Sequence, residues 1–297
     1  MVLTRCLGFL LLGGAISWPN SRTGAHDDVS HYLFLRESGL PIPAELEARY
    51  NEVGTITFYV MGQEDTAVGN YWTTMAAWPP ITQQNYWLAP SGRLQRTLPT
   101  SATVAPQSYL YDSNDPVGTI GGNELLIPCG PRDQTELLTR SDILWFTADP
   151  FTFETAVVGQ LTATIWVSTD RNDTDFTVKL MDLYPDGRSM LFQDGIVRLR
   201  WRNGGAVAQP AVPGQVYQVT IRMQRTAYIF EPGHALRVAI SSSNHPRFQF
   251  NPNNGLPIGA DGPLLVAQNT VYMDSTRPSY VMLPVVPLSS IPRNFTP

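Results

Sequence analysis

Apolar and polar residues alternate with a period of two over most of the chain beyond residue 85. The pattern is clear in the segments 160–170 (QLTATIWVSTD), 196–202 (IVRLRWR), 216–223 (VYQVTIRM) and 234–242 (HALRVAISS). Successive side chains point to opposite sides of a β-strand, so this alternation is typical of antiparallel strands with one buried and one solvated face. The pattern therefore predicts strands in all four segments.

Turn sequences separate these segments, as in Pro185-Asp186-Gly187 and Asn203-Gly204-Gly205. The 25 prolines and 23 glycines are spread along the chain without a period, which indicates many short strands joined by turns. A run of strands without interleaved helices predicts a β-sandwich or jelly roll. The 297 residues are enough for one large domain or two ordinary ones.

The pattern before residue 86 is different. The segment 43–50 (PAELEARY) predicts a helix with Pro43 in its first turn. The segment 55–62 (TITFYVMG) predicts a strand, and a turn-rich connector follows it and ends in AAWPP at residues 76–80.

Residues 1–17 combine the basic Arg5, an apolar run and the small residues Ala15 and Ser17. This arrangement is typical of a secretory signal peptide, but a buried strand would have the same composition. We expect a secreted protein under the first interpretation and a cytoplasmic one under the second.

The charge distribution and the hydropathy argue against two classes of partner. The net charge is −5 and no basic run is present, so we expect no nucleic acid partner. No stretch of eighteen apolar residues occurs, so the sequence predicts no membrane span.

The acidic segment 169–176 (TDRNDTDF) is rich in oxygen ligands, but Asp175 stands where a calcium-binding EF-hand loop needs glycine. We interpret this segment as a turn and expect no metal and no cofactor. A nearby stripe of arginines has two interpretations, a solvated strand face or an anion site; it consists of Arg198, Arg200 and Arg202.

No serine lies in the G-x-S-x-G nucleophile elbow of an α/β-hydrolase. The sequence contains the three residue types of a catalytic triad in Ser241, His245 and Asp261. A serine at the end of a strand, four residues from its base, is badly placed to transfer its proton to that base. The polar loop SSSNHPRFQFNPNNG (residues 241–255) remains a candidate interface, through Asn244, His245 and Arg247. Four tryptophans are candidates for a sugar-binding platform or for core and interface positions: Trp72, Trp78, Trp87 and Trp145.

Several segments, in this order, resemble one known domain: YLYDSNDPVGTIGG, SDILWFTADPF, VVGQLTATIWVSTDRNDTDFTVKLMDLYPDGRSMLFQDGIVRLRWR, FEPGHALRVAISSSNHPRFQFNPNNG and NTVYMDSTRPSYVMLPVV. It is the C-terminal non-catalytic domain of the X-Pro dipeptidyl-peptidase and cocaine esterase (CocE/NonD) family of serine hydrolases. The resemblance implies a galactose-binding-like jelly-roll β-sandwich over residues 86–290. Residues 1–85 then correspond to the remnant of an α/β-hydrolase domain and its linker.

The family's Ser-Asp-His triad does not carry over to this chain. Its serine lies on an elbow far upstream of the jelly roll, and its histidine follows a Gly-Pro-Trp motif. The nearest counterpart here is GGAISWPNS at residues 13–21, so His26 is at best a displaced base.

The resemblance therefore implies an accessory portion of a serine hydrolase that is inactive alone. Its expected partner is a catalytic α/β-hydrolase domain, in the same chain or a separate one, and the exposed contact surface could cause self-association. The alternative is a free-standing secreted module that binds carbohydrate or protein.

Overall fold

The computed structural model describes residues 32–293, apart from 33–34, 36–37, 51–55, 65, 67, 125–126 and 205–206. The segment 1–17 and His26 lie outside the described residues. Within the described part, no helix has the length and apolarity that crossing a membrane requires.

The described residues form one short complete helix and a series of β-strands. Helix α1 spans Ala44–Tyr50. The strands are β1 Ile56–Val60, β2 Tyr71–Met75, β3 Thr82–Ala89, β4 Arg93–Gln95, β5 Gln107–Asp112, β6 Leu144–Thr147, β7 Thr155–Thr169, β8 Asp175–Leu183, β9 Ser189–Arg198, β10 Tyr217–Phe230, β11 Ala235–Ser241, β12 Val266–Tyr272 and β13 Tyr280–Val286. The predicted mainly β class is confirmed.

Helix α1 lies in the predicted segment 43–50 but begins at Ala44, directly after Pro43, and the amide of Glu47 donates to the carbonyl of Pro43 over 2.9 Å. Strand β1 is the predicted strand and pairs with β2 as an antiparallel hairpin. Strand β2 lies within the segment that the sequence analysis interpreted as a turn-rich connector, so that interpretation was wrong. Five residues between turns carry little periodic signal, and it is the pairing with β1 that makes them a strand.

The remaining strands form one large sheet that curves around a single main core. Its longest strand, β7, pairs with β10 on one edge and with β12 and β13 on the other. The predicted alternation is confirmed: Leu161, Ile165 and Val167 on β7 are fully buried, as are Val238 and Ile240 on β11. Their apolar faces meet in the core, as expected for a β-sandwich.

The predicted strand at 196–202 is wrong in its second half. Strand β9 ends at Arg198, and Leu199–Trp201 form a turn of 3-10 helix. The amide of Arg200 donates to the carboxylate of Asp173 instead of to a strand carbonyl. The side chain of Asp173 thus competes with the β-ladder and stops it.

Strand β7 defines two ends of the molecule. At its start, around Ala156 and Val158, the β1–β2 hairpin packs through Phe58 and Val60; we call this the hairpin end. At its other end, beyond Thr169, lie the loops 170–174, 199–216 and 242–265, which we call the loop end. The strand between them is about 45 Å long at the usual rise per residue.

Candidate functional site

The polar loop 241–255 begins at the last residue of β11, and its first four residues are internal. Ser241, Ser242, Ser243 and Asn244 are all buried, while His245 is exposed. Buried polar groups need partners to offset their lost hydration. The partners of this loop include strands β5, β8, β9 and β12 and the segment 117–119.

The centre of the site is Asp194 on β9. Its two oxygens are shared between Arg247, at 3.1 Å, and the amide nitrogen of Asn244, at 2.9 Å. Lys179 on β8 lies nearby and donates to the amide oxygen of Gln134 over 3.0 Å. All five side chains are buried or nearly so, which makes this a closed polar cluster.

Burial governs the ionisation of this cluster. Desolvation raises the pKa of Asp194, and the positive charges of Arg247 and Lys179 oppose that rise. Desolvation also lowers the pKa of Lys179 to about 8, against the attraction of Asp194. Each charge is thus tolerated inside the protein only because its counter-charge is held beside it.

The segment 117–119 closes over the polar loop. The amide of His245 donates to the carbonyl of Val117 over 2.9 Å, and the amide of Thr119 donates to the carbonyl of His245 over 2.7 Å. The amide of Arg247 donates to the hydroxyl of Thr119 over 3.2 Å. These bonds hold the loop backbone in place, so the backbone of His245 is fixed while its imidazole is exposed. The imidazole ring packs against Phe250.

A second group of buried charges lies at the loop end. Arg200 contacts Asp173 at 2.6 Å, and Arg198 contacts Asp175 at 2.8 Å. The side-chain amide of Asn251 donates to both carboxylates, each over 2.8 Å. Desolvation raises the pKa of Asp175 and the bonds from Arg198 oppose it.

The acidic segment and the arginine stripe therefore neutralise each other. The interpretation of the stripe as a solvated strand face is wrong for Arg198 and Arg200, whose side chains are 14% and 10% exposed. Arg202 lies over the ring of Tyr217 instead. Within the described residues, no three side chains of His, Cys, Asp or Glu are grouped so that they could hold a metal ion.

Ser241, His245 and Asp261 do not come together as a triad. The hydroxyl of Ser241 bonds to Thr177 at 2.6 Å and to the carbonyl of Ser243 at 3.2 Å. His245 packs on Phe250, and Asp261 is exposed further along the same loop.

A buried histidine–carboxylate pair occurs elsewhere, and the sequence analysis did not single it out. His234 Nδ1 lies 2.9 Å from Asp182, and the hydroxyl of Tyr228 donates to the same carboxylate over 2.8 Å. The side chains of His234 and Asp182 are 4% and 0% exposed, so the pair is closed to a substrate. Its members are far apart in sequence and leave no local signal.

The four candidate tryptophans do not form one platform, and Trp145 packs against a separate buried cluster around Val117 and Leu137. Trp72 is only 1% exposed and belongs to the small core around Tyr32, whereas Trp78 is 42% exposed and stacks on Phe58 at the hairpin end. Trp87 pairs with Tyr280 across strands β3 and β13, with ring centroids 4.5 Å apart.

The sequence matches a known protein family over most of its length. Residues 51–282 match the family model of the X-Pro dipeptidyl-peptidase C-terminal non-catalytic domain. The chain is 34% identical over 249 residues to the cocaine esterase of Rhodococcus sp. (strain MB1 Bresler), an alignment that covers 79% of this chain and 42% of the esterase.

Two solved structures share the fold. An aminopeptidase from a marine sediment archaeon, Thaumarchaeota archaeon, has a TM-score of 0.71 at 25% identity, over 87% of this chain and 43% of that chain. An α-amino acid ester hydrolase has a TM-score of 0.71 at 23% identity, over 88% of this chain and 45% of that chain. The chain thus spans less than half the length of these relatives.

Proposed function

This chain belongs to the X-Pro dipeptidyl-peptidase and cocaine esterase (CocE/NonD) family of hydrolases as its C-terminal non-catalytic domain, and from that membership we propose that it is an accessory portion that hydrolyses nothing alone. The parent activity that it serves is hydrolysis of esters or amides by a serine hydrolase. The proposal names a class of reaction and not one substrate.

The observation that carries the proposal is that polar side chains of the loop 241–255 bond to other parts of the fold. Ser241, Asn244 and Arg247 bond to neighbouring strands, to the closing segment 117–119 or to Asp194. Nucleophilic catalysis by a serine needs a base beside the serine and an oxyanion hole in reach. In the polar loop these side chains instead stabilise the fold.

We place the contact with the catalytic α/β-hydrolase domain at the hairpin end. Trp78, Ile81 and Phe153 are exposed there, at 42%, 47% and 78%. Exposed large apolar side chains grouped on one surface are typical of a missing interface. His245 offers a second, polar point of contact. Its neighbours Asn244 and Arg247 fix this part of the loop by binding to Asp194.

An activity assay tests the proposal. The purified chain should turn over neither p-nitrophenyl acetate nor an X-Pro-p-nitroanilide, and a fluorophosphonate should label no serine. A Ser241→Ala variant is the control for background turnover. Hydrolysis that stops when the fluorophosphonate labels a single serine would overturn the proposal.

A carbohydrate-binding module is the second candidate, and one observation favours it. The pair Trp87 and Tyr280 and the cross-strand neighbours Trp166 and Tyr272 are half-buried on strands of the same sheet, with Arg277 over the ring of Tyr272. Aromatic faces with polar neighbours suit the apolar side of a sugar ring. Saccharide binding in a glycan array that Trp87→Ala abolishes would support this function, and an array without binding would exclude it for the sugars tested.

A further inference from the structure

Lys179 is the only lysine in the chain, whose other basic residues are arginines. It lies on β8 and is 2% exposed. Its neighbours Val178 and Leu180 point into the main core, so Lys179 points to the opposite face of the sheet, which residues from the segment 117–143 cover. A primary amine is therefore enclosed between the sheet and this covering segment.

The closest charged neighbour of this amine along the sheet is Asp194. Lys179 and Asp194 are direct partners across strands β8 and β9, and the side chains of such partners lie on one face with Cβ atoms about 5 Å apart. Burial raises the pKa of Asp194 and lowers the pKa of Lys179 to about 8. Both changes favour the neutral forms, and a neutral, desolvated lysine amine is a nucleophile.

Asn244 presents a carboxamide to the same carboxylate. Its amide nitrogen donates to Asp194 over 2.9 Å, and its amide oxygen is buried without a hydrogen-bond partner among the described residues. The amine of Lys179 lies 3.5 Å from the carbonyl oxygen of Gly118, and Gly118 pairs with His245, the residue after Asn244. One carboxylate thus has a buried amine as its cross-strand neighbour and a carboxamide bonded to it.

We propose that Lys179 and Asn244 become joined by an amide bond, with Asp194 as the proton carrier. The neutral amine nitrogen attacks the side-chain carbonyl carbon of Asn244, and a carbon–nitrogen bond forms. Asp194 takes a proton from the attacking nitrogen and gives it to the amide nitrogen of Asn244, which leaves as ammonia. One amine and one carboxamide are consumed, and one secondary amide and one ammonia are formed, so the step needs no oxidant and no cofactor.

Gln134 is a second carboxamide near the amine, with its oxygen 3.0 Å from Lys179 Nζ. Its amide nitrogen donates to two backbone carbonyls, over 2.8 Å and 3.1 Å. A backbone carbonyl has no proton to give to a leaving nitrogen, whereas the carboxyl group of Asp194 can carry one. Proton delivery therefore selects Asn244 as the partner of Lys179.

The bond would also balance the buried charges. Before the reaction the cluster contains two cations, Lys179 and Arg247, and one anion, Asp194; after it only Arg247 and Asp194 remain charged, at 3.1 Å. A covalent link between β8 and the polar loop also restricts the unfolded chain, which stabilises the fold. Because Arg247 favours the charged form of Asp194, we expect the reaction to be slow.

Peptide mapping tests the bond. Freshly purified full chain, in which Lys179 is still an amine, is kept at pH 8 for several days and then digested with trypsin. The intact mass should fall by one ammonia, about 17 Da. The digest should contain a branched peptide that joins residues 172–188, uncleaved after Lys179, to residues 238–247 through Asn244. Loss of ammonia at an Asn-Gly pair gives the same mass, so the branched peptide identifies the bond.

Lys179→Met and Asp194→Asn are the matched variants, and circular dichroism should show that both keep the wild-type fold. Neither should give the branched peptide, because the first lacks the amine and the second keeps the size of the side chain but carries no proton. The digest of the wild-type chain remains decisive even where a variant does not fold.

Three outcomes would overturn the inference. They are complete cleavage after Lys179 in the aged wild-type chain, a branched peptide that joins Lys179 to Gln134, or the expected branched peptide formed at the wild-type rate by Asp194→Asn. None of these results bears on the absence of hydrolysis, so the two proposals fail separately.

Discussion

Removal of the carboxylate of Asp173 should destabilise the protein strongly. Asp173 is 1% exposed and accepts from the amide and the guanidinium of Arg200, at 2.9 Å and 2.6 Å, and from Asn251 at 2.8 Å. In Asp173→Ala these donors lose their acceptor, and Arg200 remains buried with its charge unpaired. Breaking a buried ion pair on one side costs about 3–5 kcal/mol. That is a large part of the roughly 5–15 kcal/mol by which a domain is stable.

The measurement is the free energy of unfolding in urea for four proteins: wild type, Asp173→Ala, Arg200→Met and the double variant. The double variant should be more stable than the sum of the single losses allows, because it leaves no buried charge unpaired. We expect a coupling energy of about 2 kcal/mol or more. Arg188→Ala is the control, because Arg188 and Asp186 form an ion pair of 2.8 Å whose side chains are 45% and 53% exposed.

Two results for the buried pair and one for the control would refute this reasoning. One is a loss of less than about 1 kcal/mol in Asp173→Ala, since a loss that small is typical of a solvent-screened pair. The other is an additive double variant, which would mean that Asp173 and Arg200 act independently. A loss in Arg188→Ala as large as that in Asp173→Ala would also show that burial is not the cause.

Further predictions concern the core, the pH dependence and the domain boundary. Leu199→Asp should leave the protein unfolded by circular dichroism, whereas Leu199→Met should not, because Leu199 is fully buried and a buried unpaired carboxylate costs several kcal/mol. The pKa of Lys179 falls from 10.5 to about 8 in the folded chain. Between these values the unfolded chain binds the extra proton, so stability should rise with pH in this window, and Lys179→Met should flatten the rise in urea titrations at pH 8, 9 and 10. A chain that starts at Thr82 should keep a β-sheet spectrum but melt at a lower temperature than one that starts at Ile56, because the hairpin covers Ile229; equal melting temperatures would contradict this.

Local patterns in the sequence were sufficient for the elements whose periodicity is regular. Alternation predicted which faces of β7, β10 and β11 are buried, and Pro43 marked the start of α1. These features depend on neighbours in sequence, so a single sequence reveals them. The mainly β class follows from the same local information.

The elements that the sequence analysis predicted wrongly depend on contacts with residues distant in sequence. Strand β2 is a strand because β1 lies beside it, and the ladder of β9 stops because Asp173 takes the amide of Arg200. The residues of either segment alone do not reveal these contacts.

The chemistry of the candidate site was decided by tertiary structure. The sequence showed an acidic turn, an arginine stripe and a polar loop as three separate candidates for a metal, an anion or an interface. The fold brings Asp173 and Asp175 against Arg200 and Arg198, and Asp194 against Arg247, so that the charges neutralise each other inside the protein. Sequence alone determined which residues carry charge. Only packing determined which charges lose their water and must therefore pair, because desolvation depends on what the whole fold places around a side chain.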